Sequence, residues 1–235
     1  MSGGGSMAIA VILGAGSGTR MGGAMPKQFW PLEGKTILEH SAEAFLRHPG
    51  ISEVALVVPK AHLIWVKNLF AGEPKVQKII CGGANRSQSS WAAVQAYANQ
   101  PNAWLIFHDA ARPLVSSESI SAAIDAAADY EAATAAIPSS DTILISSDNG
   151  NEVSQIPNRS LMWRCQTPQA FRQRTISAAY EMAMKDSEFQ ASDDCGVIKR
   201  YLPHIKIGIF MGSDENIKLT YARDMAFVAE QLKKH

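Results

Sequence analysis

The segment Leu13–Phe29, LGAGSGTRMGGAMPKQF, sets Gly14, Gly16 and Gly18 ahead of Arg20 and Lys27. Glycines permit positive φ and let backbone N–H groups face an anion, and the two cationic side chains add mobile charge to the same loop. The chemistry implied is a phosphate cradle. Two common relatives are excluded: Thr19 stands where a dinucleotide-binding loop needs its third glycine, and no Gly-Lys-Ser/Thr closes the segment as a P-loop would.

Further along the chain, His108-Asp109-Ala110-Ala111-Arg112-Pro113 follows the apolar run Trp104–Phe107, so Asp109 falls at the carboxyl end of an expected strand. A carboxylate there can hold Mg²⁺ or a ligand hydroxyl. An ion pair from Asp109 to Arg112 is the structural alternative, and the preferred account of Arg112. Gly82-Gly83-Ala84-Asn85-Arg86-Ser87-Gln88-Ser89 joins a strand to a helix. Close approach at glycine, then small hydroxyls at a helix start, suits a base or ribose, although Ser87 or Ser89 could simply cap the helix.

Lys218 sits in the apolar run Asn216–Thr220, where a lysine is seldom kept without an anion to meet it; the alternative is a stem that snorkels to water. Arg159 suits bidentate phosphate recognition and Thr142 offers a short hydroxyl, yet residue type alone leaves Arg159 equally a surface residue. Ser192-Asp193-Asp194-Cys195 reads as a helix N-cap with acidic first-turn residues and needs no chemical role. The six histidines show no metal-ligand spacing, and Cys81, Cys165 and Cys195 read as reduced, mostly buried thiols.

These residues need a scaffold. Apolar, β-rich runs at Ala8–Leu13, Val54–Val58, Val76–Ile80, Trp104–Phe107 and Ala133–Ile137 read as buried parallel strands. Between them, Ile37, Leu38, Ser41, Ala42 and Phe45 recur at helical spacing, as do Trp91, Val94, Gln95 and Ala98, and then Ile120, Ala123, Ile124 and Ala127. Repeated βα units predict an α/β fold, a doubly wound and mostly parallel Rossmann-like sheet that gathers ligands outside the carboxyl ends of its strands. Asp141–Ser146 and Glu152–Ile156, joined by Asp148-Asn-Gly-Asn151, predict a protruding β-hairpin, which is marginal unless it leans on its own sheet or a second subunit. A helix over about 172–185, a strand over 205–211 and a helix over about 221–233 complete the chain.

The 235 residues suit one domain over 7–235, with residues 1–6, MSGGGS, read as a leader. Lys plus Arg, 22, balance Asp plus Glu, 22, so no global field favours nucleic acid or an anionic membrane, and the expected partner is a small molecule. With no apolar run near the length of a bilayer span and no secretory signal before Met7, the expected location is cytoplasmic.

Leu13–Phe29 resembles the signature loop of sugar-phosphate nucleotidyltransferases, and its PKQF ending is similar to that of the 2-C-methyl-D-erythritol 4-phosphate cytidylyltransferase family. HDAARP matches that family's motif letter for letter; GGANRSQS, QTPQAF and NIKLT follow in the family's order, so the resemblance runs from Ala10 to Thr220. Ser192 departs from it, standing where the family usually has Thr. The resemblance implies transfer of CMP from CTP to 2-C-methyl-D-erythritol 4-phosphate, with Mg²⁺ or another divalent cation. It implies that Gly14, Ala15, Gly16, Ser17, Gly18, Gly82, Gly83, Ser89, Asp109 and Ala110 hold CTP, and that Arg20 and Lys27 stabilise the transition state. Arg159 and Lys218, with Thr142 and Thr167, would hold the acceptor phosphate. The hairpin, residues 139–159, would be a homodimer arm carrying Thr142 and Arg159 into the neighbouring subunit's site. A ribitol-5-phosphate cytidylyltransferase is the nearest rival; a non-catalytic CTP sensor is a remoter one, disfavoured because Arg20, Lys27, Arg159 and Lys218 are all present.

Overall fold

The structure is a computed structural model that describes residues 7–16, 25–148, 150–189 and 191–234. In chain order the elements are β1 (Ala8–Leu13), β2 (Pro31–Leu32), β3 (Lys35–Thr36), α1 (Ile37–Arg47), β4 (Glu53–Val58), α2 (Leu63–Leu69), β5 (Val76–Cys81), α3 (Arg86–Ala96), β6 (Trp104–Asp109), α4 (Ser117–Asp129) and β7 (Ala132–Pro138). Then come β8 (Ile145–Ser146), β9 (Val153–Gln155), β10 (Trp163–Arg172), α5 (Gln173–Ala183), α6 (Asp194–Tyr201), β11 (Ile207–Met211) and α7 (Asp224–Leu232).

Seven strands form one sheet in the order β11-β7-β10-β6-β1-β4-β5. All neighbours run parallel except β10, which is antiparallel to both β6 and β7. Strand β1 shows why its run is continuously apolar: Ala8, Ala10 and Ile12 pack into a core on one face with Leu38, Phe45 and Ile106, while Ile9 and Val11 pack into a core on the other with Phe107, Phe171 and Tyr180. A strand covered on both faces cannot alternate. The chain leaves β1 for β4 and β5 on one side and returns to β6 on the other, and such a reversal opens a crevice at the carboxyl ends of β1 and β6.

Local chemistry fixes the helix starts. Glu33 (φ 44) and Gly34 (φ 83) make the two-residue turn between β2 and β3, the positive-φ pair that a tight hairpin needs. Thr36 then opens α1 with a reciprocal capping box to Glu39. Asn85 caps α3, its side chain accepting from the Gln88 N–H, so neither Ser87 nor Ser89 is the cap. Asp193, not Ser192, caps α6.

Several expectations are corrected. Strand β10, absent from the expected set of strands, lies in the middle of the sheet between β6 and β7. Helix α2 was likewise unassigned. Among the described residues the hairpin ladder is shorter than expected, pairing Ile145 and Ser146 with Gln155 and Val153. Cys81 and Cys165 are exposed and only Cys195 is buried, so the thiols are not mostly buried. Among the described residues no helix is long and apolar enough to cross a membrane.

Candidate active site

The carboxyl ends of β1 and β6 open onto a cleft of about 440 Å³, within the range of small-ligand sites. Gly14, Ala15 and Gly16 form one side, Gly83 and Ser89 a second, Asp109 and Ala110 a third, and Lys27 and Lys218 also line it. Ser17, Gly18 and Arg20 lie outside the described residues.

Glycine serves this cleft differently from the expectation. Positive φ among the described glycines occurs at Gly34 and Gly150, not at Gly14 or Gly16. Close approach is the reason at Gly82, where a Cβ would lie 2.2 Å from the Ala15 Cβ. The loop after β1 is instead fastened by Gln28, a buried residue whose Nε2 donates to the carbonyls of Gly14 (2.5 Å) and Gly16 (3.0 Å). Gln28 sits in the short 3₁₀ turn Lys27–Phe29, anchored by the buried Phe29 ring against His62 and Trp65. That anchoring brings the Lys27 ammonium to the Leu219 carbonyl. Ser89 ties the next wall, accepting from the Gly83 N–H at 3.1 Å and donating to the Asn85 carbonyl at 2.8 Å.

Asp109 is 8% exposed and faces Lys218 Nζ at 2.8 Å, Arg86 Nε at 3.6 Å and Arg112 Nε at 3.8 Å. Burial works to raise its pKa, but Arg86 first, then Lys218 and Arg112, hold the carboxyl well below the usual carboxylate range. The Asp109–Arg112 ion pair is therefore present, as one of several contacts. Arg112 is otherwise structural, with Nη1 donating to the Asn216 carbonyl at 2.6 Å.

A ring of hydrogen bonds holds Asp109 from behind. Its N–H donates to Thr167 Oγ1 (3.2 Å), which also pairs with His108 Nδ1 (2.9 Å), while His108 Nε2 meets the Arg112 carbonyl (3.0 Å). Burial pushes His108 down to about 4, so the ring is neutral at neutral pH, one nitrogen donating to the carbonyl and the other accepting from Thr167. Asn216 Nδ2 closes the ring on the Thr167 carbonyl at 2.7 Å. Thr167 is 4% exposed, so its hydroxyl fastens β10 to the turn that carries Asp109. The segment that carries Lys218 is tied to the same turn by Leu219 N–H to the Ala111 carbonyl at 2.8 Å.

Thr142 and Arg159 are not brought to this cleft within the chain. Both are exposed, and Arg159 lies in a separate groove with Pro138, Ser139 and Asn158, reaching the Ser140 carbonyl at 3.4 Å.

Gln28, His108, Asn216, Arg86 and Asp194 also contribute: the first four lie inside motifs without an individual role there, and Asp194 is expected only as a first-turn acid. One of them carried a signal: Arg86 is the first residue of α3, where the helix dipole disfavours a cation, so a carboxylate partner could have been sought. Asp194 supplies it, fully buried, 2.7 Å from Arg86 Nη1.

The sequence profile of the 2-C-methyl-D-erythritol 4-phosphate cytidylyltransferase family matches residues 8–234. A relative of that name from Thermobifida fusca is 44% identical over 229 residues, covering 95% of this chain and 92% of its own. A bifunctional ribulose 5-phosphate reductase/CDP-ribitol pyrophosphorylase from Haemophilus influenzae is 38% identical over 95% of this chain, which spans about half, 48%, of that protein. Among solved structures, 4-diphosphocytidyl-2C-methyl-D-erythritol synthase from Anaerococcus prevotii superposes with a TM-score of 0.85 at 29% identity, covering 97% of this chain and 99% of that one. A profile spanning nearly the whole chain, on a sheet whose crevice gathers Gly14, Gly16, Asp109 and two lysines, shows that this chain belongs to the 2-C-methyl-D-erythritol 4-phosphate cytidylyltransferase family.

Proposed function

We infer that the chain transfers CMP from CTP to 2-C-methyl-D-erythritol 4-phosphate, giving 4-diphosphocytidyl-2-C-methyl-D-erythritol and pyrophosphate. The observation that carries this reading is the cleft itself, where Lys27, Lys218 and Asp109 meet the loop after β1. An oxygen of the acceptor phosphate attacks the α-phosphorus of CTP, and the bond from that phosphorus to the bridging oxygen breaks to release pyrophosphate. A phosphomonoester has a second pKa of about 6, so the nucleophile is already ionised at neutral pH and needs no general base. Charge is the obstacle: two anions approach, and negative charge spreads over the equatorial oxygens.

Lys27, together with Arg20, stabilises that charge, and Lys218 meets the acceptor phosphate. Lys218 is 40% exposed on a flexible stem, so it can leave Asp109 for an incoming phosphate. Thr167 acts in this scheme by holding Asp109, since its hydroxyl faces the Asp109 N–H and not the cleft. Asp109 is the carboxylate among the described lining residues, and no cluster of three metal-ligating side chains occurs among the described residues. A single carboxylate suits Mg²⁺, which is commonly held by one or two carboxylates plus substrate phosphates. Held by Asp109 and the substrate phosphates, Mg²⁺ would supply neutralisation of the triphosphate charge.

Thr142 and Arg159 reach an acceptor only if a second chain presents them, so we place the active form as a homodimer joined through the arm. The arm's exposed Leu144 (55%), Val153 (56%) and Ile156 (61%) support that arrangement. The similarity to the CDP-ribitol pyrophosphorylase supports a second reading, ribitol 5-phosphate as acceptor. Incubation with CTP, Mg²⁺ and each acceptor in turn, followed by pyrophosphate release, tests both. Faster release with methylerythritol phosphate is expected; release only with ribitol phosphate would select the second reading, and release with neither would refute both.

A further inference from the structure

Arg86 and Asp194 lie 108 positions apart and open two different helices, yet they meet inside the protein. Arg86 is the first residue of α3 and Asp194 the first of α6. The positive end of α3 repels a guanidinium, so a carboxylate must hold Arg86 there. Asp194 Oδ2 does so at 2.7 Å, and Asp194 Oδ1 accepts from the Tyr180 hydroxyl at 2.6 Å. Tyr180, on α5, is itself fully buried and stacks on Trp91 of α3, ring centroids 5.9 Å apart. The other side of the guanidinium faces the cleft, with Nε 3.6 Å from Asp109 Oδ1.

The cations on Asp109 therefore differ in kind. Lys218 meets it from a flexible stem and is free to follow a phosphate. Arg86 is gripped by a second, buried carboxylate that no ligand can reach. Without that grip, the guanidinium would be free to close onto Asp109 and displace the carboxylate at the cleft wall.

We propose that Asp194 and Arg86 form a clamp in which Asp194 is a positioning residue: through Arg86 it fixes the Asp109 carboxylate at the wall of the cleft during nucleotidyl transfer. The proposal rests on the transfer reaction inferred above.

The test is steady-state turnover of CTP and 2-C-methyl-D-erythritol 4-phosphate with Mg²⁺ by wild type, Asp194→Asn and the double variant Arg86→Gln/Asp194→Asn. Thermal unfolding is followed in parallel. Asp194→Asn keeps an acceptor for Tyr180 and removes the charge; kcat should fall by about 10–100-fold, the scale of a small misplacement near the reacting atoms, with acceptor KM changed less than kcat. The double variant carries a neutral pair, so it should regain wild-type Tm while kcat stays low. A merely structural bridge predicts that kcat returns with Tm, and that result would overturn the clamp, as would wild-type turnover by folded Asp194→Asn. If wild type itself releases no pyrophosphate, the inferred reaction fails and the clamp falls with it; if wild type is active, the variants judge the clamp alone.

Discussion

The cleft and the arm differ in how their side chains are satisfied. Around the cleft, Asp109, His108, Thr167 and Asn216 are buried and engaged, and their partners come from distant parts of one chain. On the arm, Ile145 (45%) and Ile156 (61%) face solvent, Thr142 is exposed, and the described ladder pairs over a few residues. A two-stranded ribbon with apolar side chains outward gains little from its own chain. The cleft is thus organised before any partner arrives, whereas the arm's design makes sense against another surface. On the reading proposed above, one chain supplies the cleft together with Lys218, and a second chain would bring Thr142 and Arg159 to it.

The largest effect expected in breaking this contrast is on the sheet beneath the cleft. Phe107 is fully buried, its ring 5.8 Å from that of Phe171, and Phe107→Ala should lower unfolding free energy by about 3–5 kcal/mol in denaturant titration. An unaffected midpoint would mean that β6 is not a rigid base for the cleft. Next comes Lys27→Ala: kcat should drop by about 10²–10³, with a smaller change in CTP KM, as for loss of one preorganised electrostatic contact. Near-normal turnover would remove Lys27 from the mechanism.

Smaller again is Thr167→Val, which leaves the Asp109 N–H and His108 Nδ1 without their hydroxyl. A stability loss of about 1–3 kcal/mol is expected, with acceptor KM nearly unchanged. A large rise in acceptor KM alone would instead make Thr167 a direct ligand. The smallest change in chain stability should come from the arm, where Leu144→Asp places a charge on an exposed apolar position. Unfolding of the dissociated chain should shift by no more than about 0.5 kcal/mol, while sedimentation should show loss of dimer. An unchanged sedimentation profile would detach the arm from assembly.

How much of this was legible in the sequence depended on whether the governing forces were local. Strand β1 was placed at its observed bounds because both faces are buried and its apolar run is uninterrupted. Strand β10 was hidden for the opposite reason. It carries Gln166, Pro168 and Gln169, and a proline in a polar-mixed run argues against a central strand. The sheet tolerates it because the register shifts between Cys165 and Gln169, and side chains take over: Gln169 Nε2 meets Asp193 at 2.9 Å and Gln166 Nε2 meets the Ser213 carbonyl at 2.8 Å. Asp194 was read as a first-turn acid, which it is. That local account was complete in itself and gave no reason to look 108 positions back to Arg86. Lys218 and Asp109 were each picked out by an apolar setting or a strand end, and the fold brings them to 2.8 Å. Thr142 and Arg159 remain apart from them in one chain, a separation that residue types and spacing do not show and that the family resemblance alone implies.

Subunit mixing tests the division of labour most directly. Lys27→Ala chains and Arg159→Ala chains, each inactive alone, are unfolded, combined in equal amounts and refolded, with mixed dimers verified by differently sized tags. If the partner's arm completes the cleft, half of the dimers are mixed and each has one intact site, so activity should return to about a quarter of wild type. No recovery in verified mixed dimers would show that one chain supplies both halves, contradicting the account.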